Sequence, residues 1–323
     1  MVHTGSKRVI MRTTTSCHPL LLNSIFRFRI ACIVCLLAIH GLAHAQLKVF
    51  ATVPEWGALA QELGAEKVSV FTATNAMQDP HQTQARPGLL ARARTTNLLI
   101  ATGAELEEGW LPVLQREAGN PNIMPGRTGM FEAAQYVQLL DAPISSDGSK
   151  GHAHASGNPH FQLDARNFIP IARGLTERFV LLDPANSSFY QEKLNAFLQT
   201  WSADIERWER LAGPLRGLNV WVQHDGFTYL NHWLELKQVG VLEANPGTEP
   251  SVTHLAAILK KQATLNGRMV LTSAYLNHKP AVWFSESARI PMVVLPFTVG
   301  GNAESKSLTA LFDDTINRLL QAR

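Results

Sequence analysis

The chain has 323 residues, of which 46% are apolar and 17% charged. That balance excludes a disordered or fibrous chain, and the length allows two domains of ordinary size. The formal net charge of +3 comes from 29 Lys and Arg against 26 Asp and Glu, but Lys7, Arg8, Arg12, Arg27 and Arg29 lie in a first stretch of 45 residues without an acid. Beyond that stretch the balance is 29 − 5 = 24 basic against 26 acidic residues, a net of −2, so the charge gives no sign of nucleic-acid binding.

The first 45 residues read as a secretory signal peptide. A basic region leads into the apolar run Ile30-Ala-Cys-Ile-Val-Cys-Leu-Leu-Ala-Ile39, and Ala43-His-Ala45 precedes Gln46 as a small-residue cleavage site. The run is too short for a spanning helix. Met11 is an alternative start to Met1, and the lack of an Arg-Arg pair favours the general secretory route over the twin-arginine one. Cleavage after Ala45 removes all three cysteines, Cys17, Cys32 and Cys35, leaving a mature chain without disulfides or thiolate ligands. Neither Cys32 nor Cys35 is expected to carry a lipid anchor, so the expectation is a soluble secreted protein.

The mature chain alternates short β-rich runs with amphipathic stretches. Strands are predicted at 47–52, 68–73, 97–102 and 136–140, and a second set at 218–223, 238–242, 268–272 and 291–295. Helical patterns lie between them, for example at 54–63, 84–95, 225–236, 250–265 and 304–322. Such alternation means βαβ units and parallel sheets. Between the two sets, Phe189, Tyr190, Leu194, Phe197, Leu198, Trp201, Ile205 and Trp208 recur at spacings of a long amphipathic helix. Asp183 is its expected cap, Pro184 fits its first turn and Gly213-Pro214 ends it. Asn186-Ser-Ser reads as this helix start sooner than as a glycosylation site.

The predicted fold is therefore α/β: two lobes with parallel sheets, bridged by a long rigid helix. The boundaries are a signal peptide at 1–45, an N-terminal lobe at 46–181, a helical linking region at 182–212 and a C-terminal lobe at 213–323.

Eight histidines remain after cleavage, at 81, 152, 154, 160, 224, 232, 254 and 278. His81 follows the second predicted strand, and His224 lies just past the first strand of the second lobe. Open parallel sheets bind ligands outside the carboxyl ends of their strands. His160 follows Gly157-Asn-Pro159 on a loop before a helix. A neutral imidazole offers a lone pair to a borderline cation such as zinc, although a single histidine at a strand end is more often simply packed or hydrogen-bonded. His232 and His254 read as solvated or partly packed helix residues. His152 and His154, in Gly151-His-Ala-His-Ala-Ser156, read as transient metal contacts or plain loop residues sooner than as permanent ligands.

At these residues the chain resembles the periplasmic substrate-binding proteins of zinc and manganese ABC transporters, over essentially the whole mature length. The segments that carry the resemblance are Asp79-Pro-His-Gln-Thr-Gln-Ala-Arg-Pro-Gly88, Gly103-Ala-Glu-Leu-Glu-Glu-Gly-Trp-Leu111 and Gly157-Asn-Pro-His-Phe-Gln-Leu-Asp164. They continue with Leu182-Asp-Pro-Ala-Asn-Ser-Ser-Phe-Tyr190, Gln223-His-Asp-Gly-Phe-Thr-Tyr-Leu230, Pro246-Gly-Thr-Glu-Pro-Ser251 and Leu295-Pro-Phe-Thr-Val-Gly-Gly301. Their order and spacing are more specific than any one of them. The resemblance implies a metal held in the interlobe cleft by His81, His160 and His224, the first two from one lobe and the third from the other. It also implies delivery to an inner-membrane ABC permease with a cytoplasmic ATPase, by a periplasmic protein expected to be a monomer.

One departure concerns the fourth ligand. The family commonly takes a carboxylate from the loop that here reads Phe297-Thr-Val-Gly-Gly301, without an acid. Water, His278 or His154 are the alternatives, with His152 as an auxiliary contact and Asn277, Glu105 and Glu243 as further options. Three imidazoles favour Zn²⁺ as the transported ligand, with Mn²⁺ or Fe²⁺ as lesser options, and binding should weaken in acid. A competing reading is a secreted zinc hydrolase built on the same three histidines, though neither a His-Glu-x-x-His helix nor a Gly-x-Ser-x-Gly elbow is present. A surface adhesin of the same fold is a third.

Overall fold

In a computed structural model of the chain, the structure describes residues 46–141, 157–245 and 247–323, with a few positions among the first ten. Most of the expected signal segment, with Ala43-His-Ala45, and the histidines at 152 and 154 lie outside the described residues.

The first sheet holds β1 (Leu47–Ala51), β2 (Val68–Thr72), β3 (Leu98–Ala101) and β4 (Met130–Glu132), all parallel, in the order β2-β1-β3-β4. The second holds β5 (Asn219–Val222), β6 (Lys237–Val241), β7 (Met269–Ser273) and β8 (Met292–Leu295), also parallel, in the matching order β6-β5-β7-β8. The apolar runs explain the class: β3 and β7 are buried at every residue, as strands covered on both faces must be. In each sheet the chain turns from one side of the first strand to the other, which opens a crevice at the strand ends.

The covering helices are α1 (Pro54–Gly64), α2 (Pro87–Ala93), α3 (Leu111–Ala118), α4 (Phe168–Leu182), α5 (Ser187–Leu211), α6 (Thr228–Trp233), α7 (Val252–Leu265), α8 (Lys279–Ala288) and α9 (Leu308–Ala322). The long helix is α5, of 25 residues, and it buries Tyr190, Leu194, Phe197, Trp201, Ile205 and Trp208, the stripe expected from the sequence. Trp201 stacks on Phe197 with 5.2 Å between ring centroids, and its Nε1 donates to the Ala165 carbonyl at 2.8 Å. Trp208 packs on Phe312 of α9 and donates to Asp313 at 2.7 Å. Helix α5 thus packs on α1 and α4 along one part and on α9 along another. Residues Gln46–Arg323 form one compact unit.

Two local expectations need correction, and one helix was not expected. Residues 136–140 form no strand; the fourth strand is β4, followed by a 3-10 turn at Ala133–Tyr136. The backbone of this stretch is used elsewhere: the Leu140 amide donates to the Tyr229 hydroxyl at 2.8 Å, and the Leu140 carbonyl accepts from the Asn158 amide at 2.8 Å. Tyr136 instead stacks on Phe131 and lies where a Cβ at Gly174 of α4 would have to go. Asp183 does not cap a backbone amide; its carboxylate accepts from the Asn186 side chain and the Tyr190 hydroxyl at 2.7 and 2.8 Å. A 3-10 turn at Pro184–Asn186 therefore precedes α5. Finally, α4 was not singled out from the sequence. It runs as a 15-residue helix beside α5 and buries Phe168, Ile171, Ala172, Leu175 and Phe179.

Candidate metal centre

Each of the three lead histidines is placed by a local device. His81 sits in a 3-10 turn at Pro80–Gln82 beyond β2, where Asp79 Oδ1 accepts from the His81 amide at 3.0 Å. An acidic cap followed by proline is a natural start for such a turn. His224 stands two residues past β5. Its neighbour Gln223 is locked, donating to the Asn277 carbonyl at 2.8 Å and accepting from Thr272 at 2.7 Å. His160 depends on Asn158, whose Oδ1 accepts from the His160 amide at 3.0 Å in an Asx-type turn. The Asn158 side-chain amide meanwhile donates to the Asp225 carbonyl at 2.9 Å, and its own carbonyl accepts from the Tyr229 hydroxyl at 2.9 Å. His160 is thus held by residues from both halves of the chain.

The three imidazoles converge. One ligand atom from each of His81, His160 and His224 lies within 4.8 Å of the others, and this is the group of such residues found among the described ones. His81 Nε2 and His160 Nε2 are 3.3 Å apart. Two nitrogens bound at 2.0–2.1 Å at a tetrahedral angle would sit about 3.3–3.4 Å apart, so the spacing suits a zinc-sized ion. The rings meet edge to face, with centroids 5.2, 6.1 and 5.7 Å apart. His160 and His224 are buried and His81 is half-buried.

The apolar wall is Phe297, whose ring stands edge-on to His160 at 5.2 Å and packs against Phe227 and Tyr275. Phe297 holds a left-handed backbone conformation, with φ +67°. A Cβ at Gly226 would press on the Phe297 ring at 3.0 Å and on His224 at 3.2 Å, so this position admits only glycine without a shift.

The other candidates are not brought into the cluster. His278 bonds through Nε2 to the Ser273 carbonyl at 3.0 Å. The Asn277 side chain donates to Glu249 at 2.8 Å. Glu105 is outside the converging group. Glu243 lies behind His224, with Oε2 at 2.8 Å from its Nδ1. His232 neighbours Arg166 at 3.5 Å, and the His254 amide bonds to Ser251, the cap of α7.

Two buried carboxyls escaped the sequence reading. Burial pushes the Glu55 carboxyl up to about 7, against the pull of the Thr298 hydroxyl that donates to it and with repulsion from Glu107 adding to the rise. Glu107 is also raised by burial, although Thr52 Oγ1, the Thr102 amide and the Gly103 amide all donate to it, at 2.6, 2.8 and 3.0 Å. The signal available for Glu107 was the threonine ending each predicted strand, Thr52 and Thr102. Glu55 gave none, since its partner Thr298 lies far along the chain.

Comparison with known proteins then decides the family. The model of ZnuA, zinc-uptake complex component A periplasmic, matches residues 49–322. The chain belongs to the ZnuA family. It is a metal ABC transporter substrate-binding protein and not an enzyme, which sets the hydrolase reading aside. Among relatives, the manganese ABC transporter substrate-binding lipoprotein PsaA of Streptococcus pneumoniae is 20% identical over 255 residues, covering 78% of this chain and 80% of PsaA. The iron ABC transporter substrate-binding lipoprotein MtsA of Streptococcus pyogenes serotype M1 is 19% identical over 258 residues, covering 78% and 80%. A crystal structure of ZnuA superposes with a TM-score of 0.72 at 18% identity, covering 86% of this chain and 99% of that one. At that identity the superposition speaks for the α/β two-lobe fold of the ZnuA family. Proteins of this kind work with a membrane permease and an ATPase, and the metals named among the relatives differ.

Proposed function

We propose that the chain captures Zn²⁺ in the periplasm on His81, His160 and His224 and releases it to an inner-membrane ABC permease driven by a cytoplasmic ATPase. It acts as a monomer, after cleavage behind Ala45. The observation that carries this reading is the make-up of the converging group: three imidazoles, with no carboxylate among the described residues that join it. Neutral nitrogen donors suit zinc, whereas manganese prefers more carboxylate oxygen. Water or His154 supplies the fourth donor on this reading, because His278 and Glu243 are engaged elsewhere.

The test strips the protein of metal, offers equimolar Zn²⁺, Mn²⁺ and Fe²⁺, and measures what is retained. About one tightly held zinc per chain is expected, drastically weakened by His160→Ala and little changed by joint replacement of His152 and His154 with Ala. Preferential retention of manganese or iron would favour the reading in which this fold serves another metal. Equal zinc in all variants would remove the three-histidine assignment.

A further inference from the structure

Glu243 does not join the three converging residues, yet its carboxylate reaches one ring nitrogen of His224, Nδ1. Oε2 lies 2.8 Å from Nδ1, and both side chains are nearly closed to solvent, at 9% exposure for His224 and 6% for Glu243. The pairing is built into the sheet. β5 and β6 are adjacent and parallel, and their ladder runs on beyond both strands: the Leu242 amide donates to the Val222 carbonyl at 2.8 Å and the Glu243 amide to the Gln223 carbonyl at 3.1 Å. His224 and Glu243 each follow their strand by two residues, so the register sets them side by side. The same Oε2 also accepts from the Gly247 amide at 2.9 Å, which holds the carboxylate from its far side.

We propose that Glu243 is the positioning residue of the metal site: it holds His224 as the Nδ1–H tautomer, aims Nε2 at His81 and His160, and biases the site toward zinc over manganese. The inference rests on the reading of His224 as a ligand. A neutral imidazole has one donor nitrogen and one acceptor nitrogen, and an ionised carboxylate can only accept. On this proposal Nδ1 donates to Glu243 Oε2, which leaves the lone pair on Nε2. The carboxylate also makes the ring a better electron donor. That gain favours a borderline cation that binds imidazole well over one that prefers oxygen. Glu243 touches no cargo itself on this account; it acts through His224.

Ring nitrogen-15 spectra of the metal-free, isotopically labelled wild type read the tautomer directly, with His224→Ala used to assign the signal. Nδ1–H on His224 is expected, and Nε2–H would overturn the proposal without any change to Glu243. Zinc and manganese affinities are then measured for wild type, His224→Ala, Glu243→Gln and Glu243→Asp. Glu243→Gln is expected to lower zinc affinity by about 10–100-fold, with a smaller loss for manganese, so the zinc-to-manganese ratio falls. Glu243→Asp should recover part of that ratio. An unchanged ratio in Glu243→Gln, with zinc binding lost in His224→Ala, sinks the positioning role and leaves the three-histidine site standing. Full zinc affinity in His224→Ala sinks the site reading itself. Should Glu243→Gln fail to fold, the wild-type tautomer and the Glu243→Asp ratio still decide.

Discussion

The Thr298 hydroxyl donates to the Glu55 carboxylate, joining the loop after β8 to the first turn of α1 across 243 positions of sequence. The bond closes over the same small cavity that His160 and Phe297 line. It places an ionisable group where water barely reaches, and that has a thermodynamic consequence.

Burial lifts the Glu55 carboxyl from 4.5 to about 7, so the folded chain binds this proton more tightly than the unfolded chain. The contribution of the group to stability is full below about pH 4.5 and is lost as the pH rises through about 7. A shift of that size corresponds to about 3 kcal/mol. Glu55→Gln has no such proton to lose, so its metal-free stability should gain on wild type by roughly that amount between pH 4.5 and pH 8. Urea unfolding of both proteins across this range checks it; a difference that stays flat or slopes the other way refutes it.

Asn158→Ala removes the acceptor for the His160 amide and the donor to the Asp225 carbonyl in one change. Leaving buried backbone groups without partners costs about 1–3 kcal/mol each. The variant should melt lower and bind zinc more weakly than wild type. Calorimetric titration measures the lost affinity, and stopped-flow transfer of zinc to a chelator should place most of it in faster dissociation. Unaltered zinc affinity would mean that His160 is oriented by something else.

Phe297→Ala takes away the ring that stands against His160 and packs on Phe227 and Tyr275. A large-to-small change at a site this buried costs about 3–5 kcal/mol. Zinc should also exchange faster, because the wall beside His160 is gone. Stopped-flow transfer of zinc to a chelator measures this, and a wild-type rate would argue that the ring serves stability alone.

Asp313→Ala addresses the bridge helix and not the site. Asp313 accepts from both Arg207 Nη1 and Trp208 Nε1 at 2.7 Å. Arg207 is partly exposed, so its ion pair contributes little. The buried indole matters more, and its loss of an acceptor should cost about 1–3 kcal/mol. Asp313→Asn keeps an acceptor and should recover much of that loss in a thermal melt. Equal melting of the two variants would show that the indole bond is worth little.

How far the sequence predicts this molecule depends on how local each determinant is. The strands at 47–51 and 98–101, and the aromatic stripe from Tyr190 to Trp208, are written in consecutive residues and were legible. The convergence of His81, His160 and His224 followed from the family resemblance, since position alone marked only His81 and His224, past strand ends. Tyr136–Leu140 misled because its β-rich composition says nothing about Tyr229 and Asn158, which claim its backbone. Glu243 looked like a spare ligand because its partner is set by the register of β6 beside β5, a relation no spacing reveals. Glu55 was invisible for the same reason, Thr298 being its neighbour only after folding.

The two sheets share one strand order, yet the nitrogen donors are divided unequally between them. On the three-histidine reading, His81 and His160 come before the bridge helix and His224 comes after it. Neither half carries enough donors to keep an ion alone. Occupancy is then a logical conjunction: a filled site reports that both halves stand in register. A transporter that shifts one half against the other needs no chemistry of its own to empty the site, because displacement alone leaves the metal with too few nitrogens to stay.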